Sequence, residues 1–135
     1  MKLLISPKII TETQLNVNTY DIDVAGHVNN LVYIRWLEDM RNIIFAQLCP
    51  LNNLLKLNYY PVVVACEMRY KKQIKLFDKP IGKMEVFSYI HGIFVLKAEI
   101  MVSKVIAFTA IQKCVLLNLE NNIKFKGNPS IFNQA

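Results

Sequence analysis

The chain has 135 residues, of which 53% are hydrophobic and 19% charged, which excludes intrinsic disorder and leaves room for one domain, residues 1–135, around one core. Sixteen Lys and Arg against ten Asp and Glu give a formal charge of +6, but the basic residues are spread along the chain without an aromatic-plus-basic module, so nucleic acid is not expected as a partner. Cys49, Cys66 and Cys114 are odd in number and lack C-x-x-C spacing, which argues against a zinc site and a disulfide framework and fits a cytoplasmic protein.

Met1 to Pro7 is too short an apolar run for a secretory leader, and no stretch approaches the length of a membrane-spanning helix. Ile9, Thr11, Thr13, Leu15 and Val17 alternate with their neighbours, which predicts a strand. Asn16, Asn18, Asp21, Asp23, Gly26, Asn29 and Asn30 are turn and cap formers, which predicts a loop over residues 18–29. From Asn30 the period turns helical. Tyr33, Leu37, Met40, Ile44 and Leu48 recur at three- and four-residue spacing, widened by Trp36 and Ile43, with Asn29 or Asn30 as N-cap. Glu38 is placed to pair with Arg35 or Arg41 across one turn. Pro50 and the asparagines after it stop this helix near Leu48, and Leu51 to Asn58 reads as a second, short one.

After Pro61 the pattern is that of strands. Val62 to Gln73 alternates Val62, Val64, Cys66, Met68 and Tyr70 against Val63, Ala65, Glu67, Arg69 and Lys71. Asp78-Lys79-Pro80 marks a turn, Ile81 to His91 a strand, His91-Gly92 a tight turn. Phe94 to Ser103 and Val105 to Leu119 follow, then a short strand from Ile123 to Lys126. Strands joined by such turns make an antiparallel sheet, and the long helix has only that sheet on which to bury its stripe. The expected class is α+β: a curved antiparallel sheet wrapped around one long central helix. Its edges and exposed face call for at least a dimer.

Two carboxylates, a histidine and two asparagines lie within Asp21 to Asn30, where a loop meets a helix N-terminus. The first turn of a helix offers free N–H groups and a partial positive charge, which suit a developing oxyanion. Asp21 and Asp23 point to opposite sides of an extended loop, so one can face a site while the other caps a turn. Ordinary turn and cap chemistry accounts for the same residues equally well.

The run Tyr20-Asp21-Ile22-Asp23-Val24-Ala25-Gly26-His27-Val28-Asn29-Asn30-Leu31-Val32-Tyr33, with Trp36-Leu37-Glu38 and Arg41, resembles the signature of the hotdog-fold acyl thioesterases. It is closest to the acyl-CoA branch that reads D-x-D-x-x-G-H-V-N-N-x-x-Y. Glu67-Met68-Arg69-Tyr70-Lys71-Lys72 resembles that family's first long strand after the helix, and the likeness extends over nearly the whole chain. The resemblance implies that Asp23 is the catalytic carboxylate, as general base or as nucleophile. It implies that backbone amides at the helix entrance, around Gly26, His27 and Val28, polarise the thioester carbonyl. Asn30 stands where another branch has histidine; its amide can orient water or Asp23 but cannot carry a proton. His27 then either takes over that proton or only hydrogen-bonds within the loop.

For substrate contacts, Tyr33 and Trp36, with Met40 and Ile44, either line an acyl tunnel or are plain core. Arg69, Lys71 and Lys72, with Lys75, either meet CoA phosphates or form a solvated strand face. Glu67 lies on the polar side of its strand and in a dimer would reach the partner's site, whereas His91 reads as structural. The expected reaction is hydrolysis of an acyl-CoA without metal or other cofactor, by a homodimer or homotetramer. An acyl-carrier-protein thioesterase and a non-catalytic acyl-binding scaffold are the alternatives.

Overall fold

The computed structural model describes residues 2–3 and 9–133; most of the Met1 to Pro7 run lies outside them. Strands are β1 (Lys2–Leu3), β2 (Ile10–Gln14), β3 (Tyr59–Tyr70), β4 (Ile81–Ile90), β5 (Ile93–Val102) and β6 (Val105–Asn118). Helices are α1 (Asn30–Leu48) and α2 (Leu51–Lys56). The six strands form one antiparallel sheet in the order β1-β4-β5-β6-β3, with β2 also on β4.

α1 starts where the sequence places a cap. The Asn29 side chain accepts the Leu31 N–H at 3.0 Å, and its carbonyl accepts the Val32 N–H at 2.9 Å. It buries Val32, Tyr33, Trp36, Leu37, Met40, Ile44, Phe45 and Leu48 against the sheet, each contributing roughly 1.5–3 kcal/mol of gross transfer free energy. The sheet's inner face answers with Met84, Tyr89, Phe94, Leu96, Ile100, Phe108 and Leu116. Gly82 sets the approach: a Cβ there would sit 2.6 Å from Met40 Sδ. Cys49, Cys66 and Cys114 are all free thiols.

β3 departs from strict alternation. It begins at Tyr59 rather than Val62, and Pro61 sits inside it opposite Leu116. Proline is tolerated because, among the described residues, β3 is an edge strand with no ladder on its outer side to donate to. A register shift between Val63 and Ala65 then inserts one extra residue. As a result Val63 pairs with buried Cys114 and Cys66 with buried Gln112, so both face the helix. The opposite face of the sheet is charged. Glu12, Lys83 and Glu99 are successive cross-strand neighbours, as are Glu85 and Lys97, an alternation of sign that favours this register.

The expected strand at Ile123 to Lys126 is instead a single bridge, Leu117 to Lys124, followed by a 3-10 turn over Pro129–Asn133. This C-terminal segment straps the open end of the sheet. Phe132 is 1% exposed and stacks edge-on with Tyr59 and Phe125. Tyr89 Oη donates to the Gly127 carbonyl at 2.7 Å, and Asn53 Nδ2 to the Phe132 carbonyl at 2.8 Å. Gly92, at φ +79, passes so close to the Phe125 carbonyl that no side chain fits. Among the described residues no helix is long and apolar enough to cross a membrane.

Candidate active site

The loop before α1 is held at two levels. At the lower level Asp21 closes a 3-10 turn, Thr19–Asp21, and is 2% exposed. Its Oδ2 accepts the Asn18 N–H at 2.8 Å and Asn18 Nδ2 at 3.3 Å, and its Oδ1 accepts Arg35 Nη2 at 3.1 Å. Its carbonyl accepts the Asn29 N–H at 2.8 Å. Both oxygens are therefore occupied, and the residue anchors the loop to the first turns of the helix. Arg35 is committed to this carboxylate, while Arg41 donates to Gln112 Oε1 at 2.9 Å. Neither forms the expected pair with Glu38, because a buried acceptor holds each guanidinium better than a solvated one.

At the upper level residues 23–27 make a tight turn. The Asp23 N–H donates to the His27 carbonyl at 2.9 Å, and the Gly26 N–H to the Asp23 carbonyl at 3.0 Å. Gly26 has φ +82, in the left-handed region that glycine adopts without strain. Asp23 is exposed. Its Oδ1 accepts the Ala25 N–H at 2.9 Å and the His27 N–H at 3.3 Å, and no described residue hydrogen-bonds Oδ2. One oxygen is thus fixed and the other is open. No hydrogen bond joins the His27 imidazole to this carboxylate.

The turn is pinned to the segment after β3. His27 bridges Lys75, and the Val28 N–H donates to the Ile74 carbonyl at 2.8 Å. The amides of His27 and Val28, both expected to face a substrate carbonyl, are engaged in these bonds. The Asn30 N–H, at the first position of α1, has no partner among the described residues.

Asp23, His27, Val28, Asn30, Tyr33, Lys71 and Lys72 line one cleft of about 510 Å³. The rest of its wall is Ala25, Tyr70 and Gln73. Tyr33 is 3% exposed and lies among Trp36, Tyr70 and Phe108, with ring centroids 5.4, 5.1 and 4.7 Å away. Burial first, and Tyr70 second, raise the pKa of its phenol, against an opposing backbone hydrogen bond at Ile74, so Tyr33 is a neutral wall of the cleft. Tyr70 was not singled out as a site residue. The signal was its inward parity, which carried to the end of β3 brings its ring over Tyr33 and Phe108.

Four expected contacts fall elsewhere. Trp36 borders a separate cleft with Asp21, Arg35 and Asp39, and Met40 and Ile44 are fully buried core. Arg69 lies on the charged outer face, where its Nη2 meets Glu67 Oε1 at 3.0 Å. Gly26 shapes the turn without lining the cleft. Among the described residues no three His, Cys, Asp or Glu side chains are grouped as metal ligands.

Solved structures with the same architecture include the DHNA-CoA thioesterase of Staphylococcus aureus, at 21% identity and a TM-score of 0.79, over 87% of this chain and 80% of that one. A second S. aureus protein, solved in complex with CoA, superposes with a TM-score of 0.84 at 16% identity, over 93% and 80%. A 4-hydroxybenzoyl-CoA thioesterase variant complexed with 4-hydroxybenzoyl-CoA gives 0.81 at 15% identity, over 91% and 97%. At these identities the likeness carries the fold, which is the hotdog fold. No curated protein sequence matches the chain. Residues 17–131, however, match the family model for thioesterase-like proteins, and on that match, which takes in both levels of the loop, the whole of α1 and the sheet from β3 to β6, the chain belongs to the thioesterase-like superfamily.

Proposed function

We propose that the protein hydrolyses the thioester of an acyl-CoA to the free acid and CoA. The observation that carries this reading is the half-tied carboxylate of Asp23 in the cleft wall, with Oδ1 held by two backbone amides and Oδ2 bonded to no described residue. As general base, Oδ2 takes a proton from water, and the hydroxide adds to the thioester carbon. The free Asn30 N–H at the positive end of α1 steadies the oxyanion, and the C–S bond then breaks with CoA leaving as thiolate. As nucleophile, Asp23 instead forms a mixed anhydride that water opens. Single turnover in heavy-oxygen water tests the second route, since label on Asp23 requires an anhydride opened at the Asp23 carbonyl. Lys71 and Lys72 meet the phosphates of CoA, and Tyr33 and Tyr70 flank the acyl group.

The assay is release of free thiol from a panel of acyl-CoA esters. Activity lost in Asp23→Asn with the fold intact is the expected result. No thiol above background from any chain length overturns the reading. A carrier-protein thioester is the second substrate form. Exposed Lys71 and Lys72 in the cleft wall favour it, and comparing one acyl group on the carrier and on CoA decides.

We further propose a homodimer paired through β3, whose outer edge is unpaired among the described residues and whose Val64 is 56% exposed. Sedimentation equilibrium tests it, with a monomer as the contrary result. A tetramer would need the charged outer faces to meet. The free thiols, Cys66 among them exposed, support a cytoplasmic setting.

A further inference from the structure

Large apolar side chains at turn tips stand out when they cluster. The four most exposed among the described residues are Val24 at 110%, Phe77 at 90%, Tyr20 at 75% and Leu31 at 67%. Tyr20, Val24 and Leu31 lie on the loop and first helical residues around Asp23, and Phe77 lies on the turn that this loop pairs with. The pairing fixes their relative position. Residues 28 and 27 run antiparallel to 74 and 75, so the two chains leave the bridge in the same direction. The turn bearing Val24 and the turn bearing Phe77 therefore project side by side.

Both turns are closed by their own hydrogen bonds. Asp23 and Gly26 close the first. Lys75 and Asp78 close the second, with the Lys75 N–H on Asp78 Oδ2 at 2.8 Å and the Asp78 N–H on the Lys75 carbonyl at 3.0 Å. Little ordering entropy remains to be lost on docking. The charges alongside are mostly cationic: Lys75 and Lys79 bracket Phe77, and Lys71 and Lys72 line the cleft, all of them exposed. The two carboxylates among them, Asp23 and Asp78, each have an oxygen engaged by backbone N–H groups.

We propose that this paired-turn tip is a shallow wedge that seats the mouth of the Asp23 cleft on an anionic lipid bilayer. Protruding apolar side chains ringed by lysines meet what an interface requires: apolar groups enter the headgroup boundary while ammonium groups meet lipid phosphates. The docking stands on the surface alone. Its consequence for substrate, that the cleft faces long-chain acyl thioesters dissolved in the bilayer, rests on the thioesterase reading.

The test is co-sedimentation of the full chain with vesicles of phosphatidylcholine, and with vesicles that also carry phosphatidylglycerol. Binding to the anionic vesicles, weakened by salt, is expected. Val24→Ser/Phe77→Ser and Lys75→Gln/Lys79→Gln should each lower the partition roughly tenfold, with native mass and unchanged hydrolysis of a short, water-soluble thioester. Absence of binding to anionic vesicles overturns the proposal, as does equal binding by the variants. A change of oligomeric mass in the Val24→Ser/Phe77→Ser protein would mean that a second copy covers the tips, and would also overturn it. So would retention of an acidic acyl carrier protein, lost in the variants, without vesicle binding. Vesicle binding by a protein that releases no thiol would keep the docking and remove the thioesterase reading.

Discussion

The two levels of the loop carry one carboxylate each, two residues apart in sequence, and the fold treats them oppositely. Asp21 is buried with both oxygens hydrogen-bonded, one of them to Arg35. Asp23 is exposed, with one oxygen tied to amides and one open. On the proposed function, lower and upper turns divide stability from chemistry. A carboxylate that must accept a proton needs an unoccupied lone pair, and a carboxylate that must hold a loop has none to spare.

That division is open to direct attack. Asp23→Asn should reduce thioester hydrolysis on the order of 10²–10⁴-fold, with a melting curve like that of the parent. A variant that keeps its activity would dissolve the distinction. Asp21→Ala should do the reverse, losing about 1–3 kcal/mol in chemical denaturation because Asn18 and Arg35 lose their acceptor. Its specific activity, measured on the folded fraction, should stay within a few-fold of the parent. Gly26→Ala should cost about 1 kcal/mol through backbone strain alone, since nothing lies within 4 Å of the added methyl. A loss of activity exceeding the loss of stability there would show that the upper turn's shape matters to the reaction. The smallest change belongs to Arg35→Lys. The Arg35 side chain is 59% exposed, so the shift should be roughly 0.5 kcal/mol or less.

How much of this was legible beforehand follows the same line. α1 was readable in full, since its period, its Asn29 cap and the Pro50 stop all agree on one answer. The order of elements from β2 to β6 and the α+β class were readable too, because alternation and turn residues act locally. What local pattern could not give was any feature set by a distant partner. Pro61 argued for a strand boundary, yet it lies within β3 because that strand ends up on an edge. The extra residue near Val64 is invisible to alternation until Cys114 and Gln112 stand opposite. Arg69 and Lys71 share one side of a simple strand and both border the charged outer face, but only Lys71, beyond the strand's end, also borders the cleft. The amides of His27 and Val28 were counted as free because their acceptors lie within the turn and some fifty residues away, at Ile74. The role proposed for Asp23 enters the sequence reading only through its likeness to a known loop. Physical reading of Asp, Gly and Asn before a helix does not separate an acid that caps from one that reacts.

The strap formed by the C-terminal segment bears on how the protein comes into being. Phe132 completes an aromatic cluster with Tyr59 and Phe125 at the open end of the sheet, and in chain order it is synthesised after every strand. Until then the nascent chain holds a sheet and helix whose hydrophobic end is wet. A chain cut short anywhere between Asn118 and Phe132 would keep every strand and both α-helices and still leave that apolar end open to water.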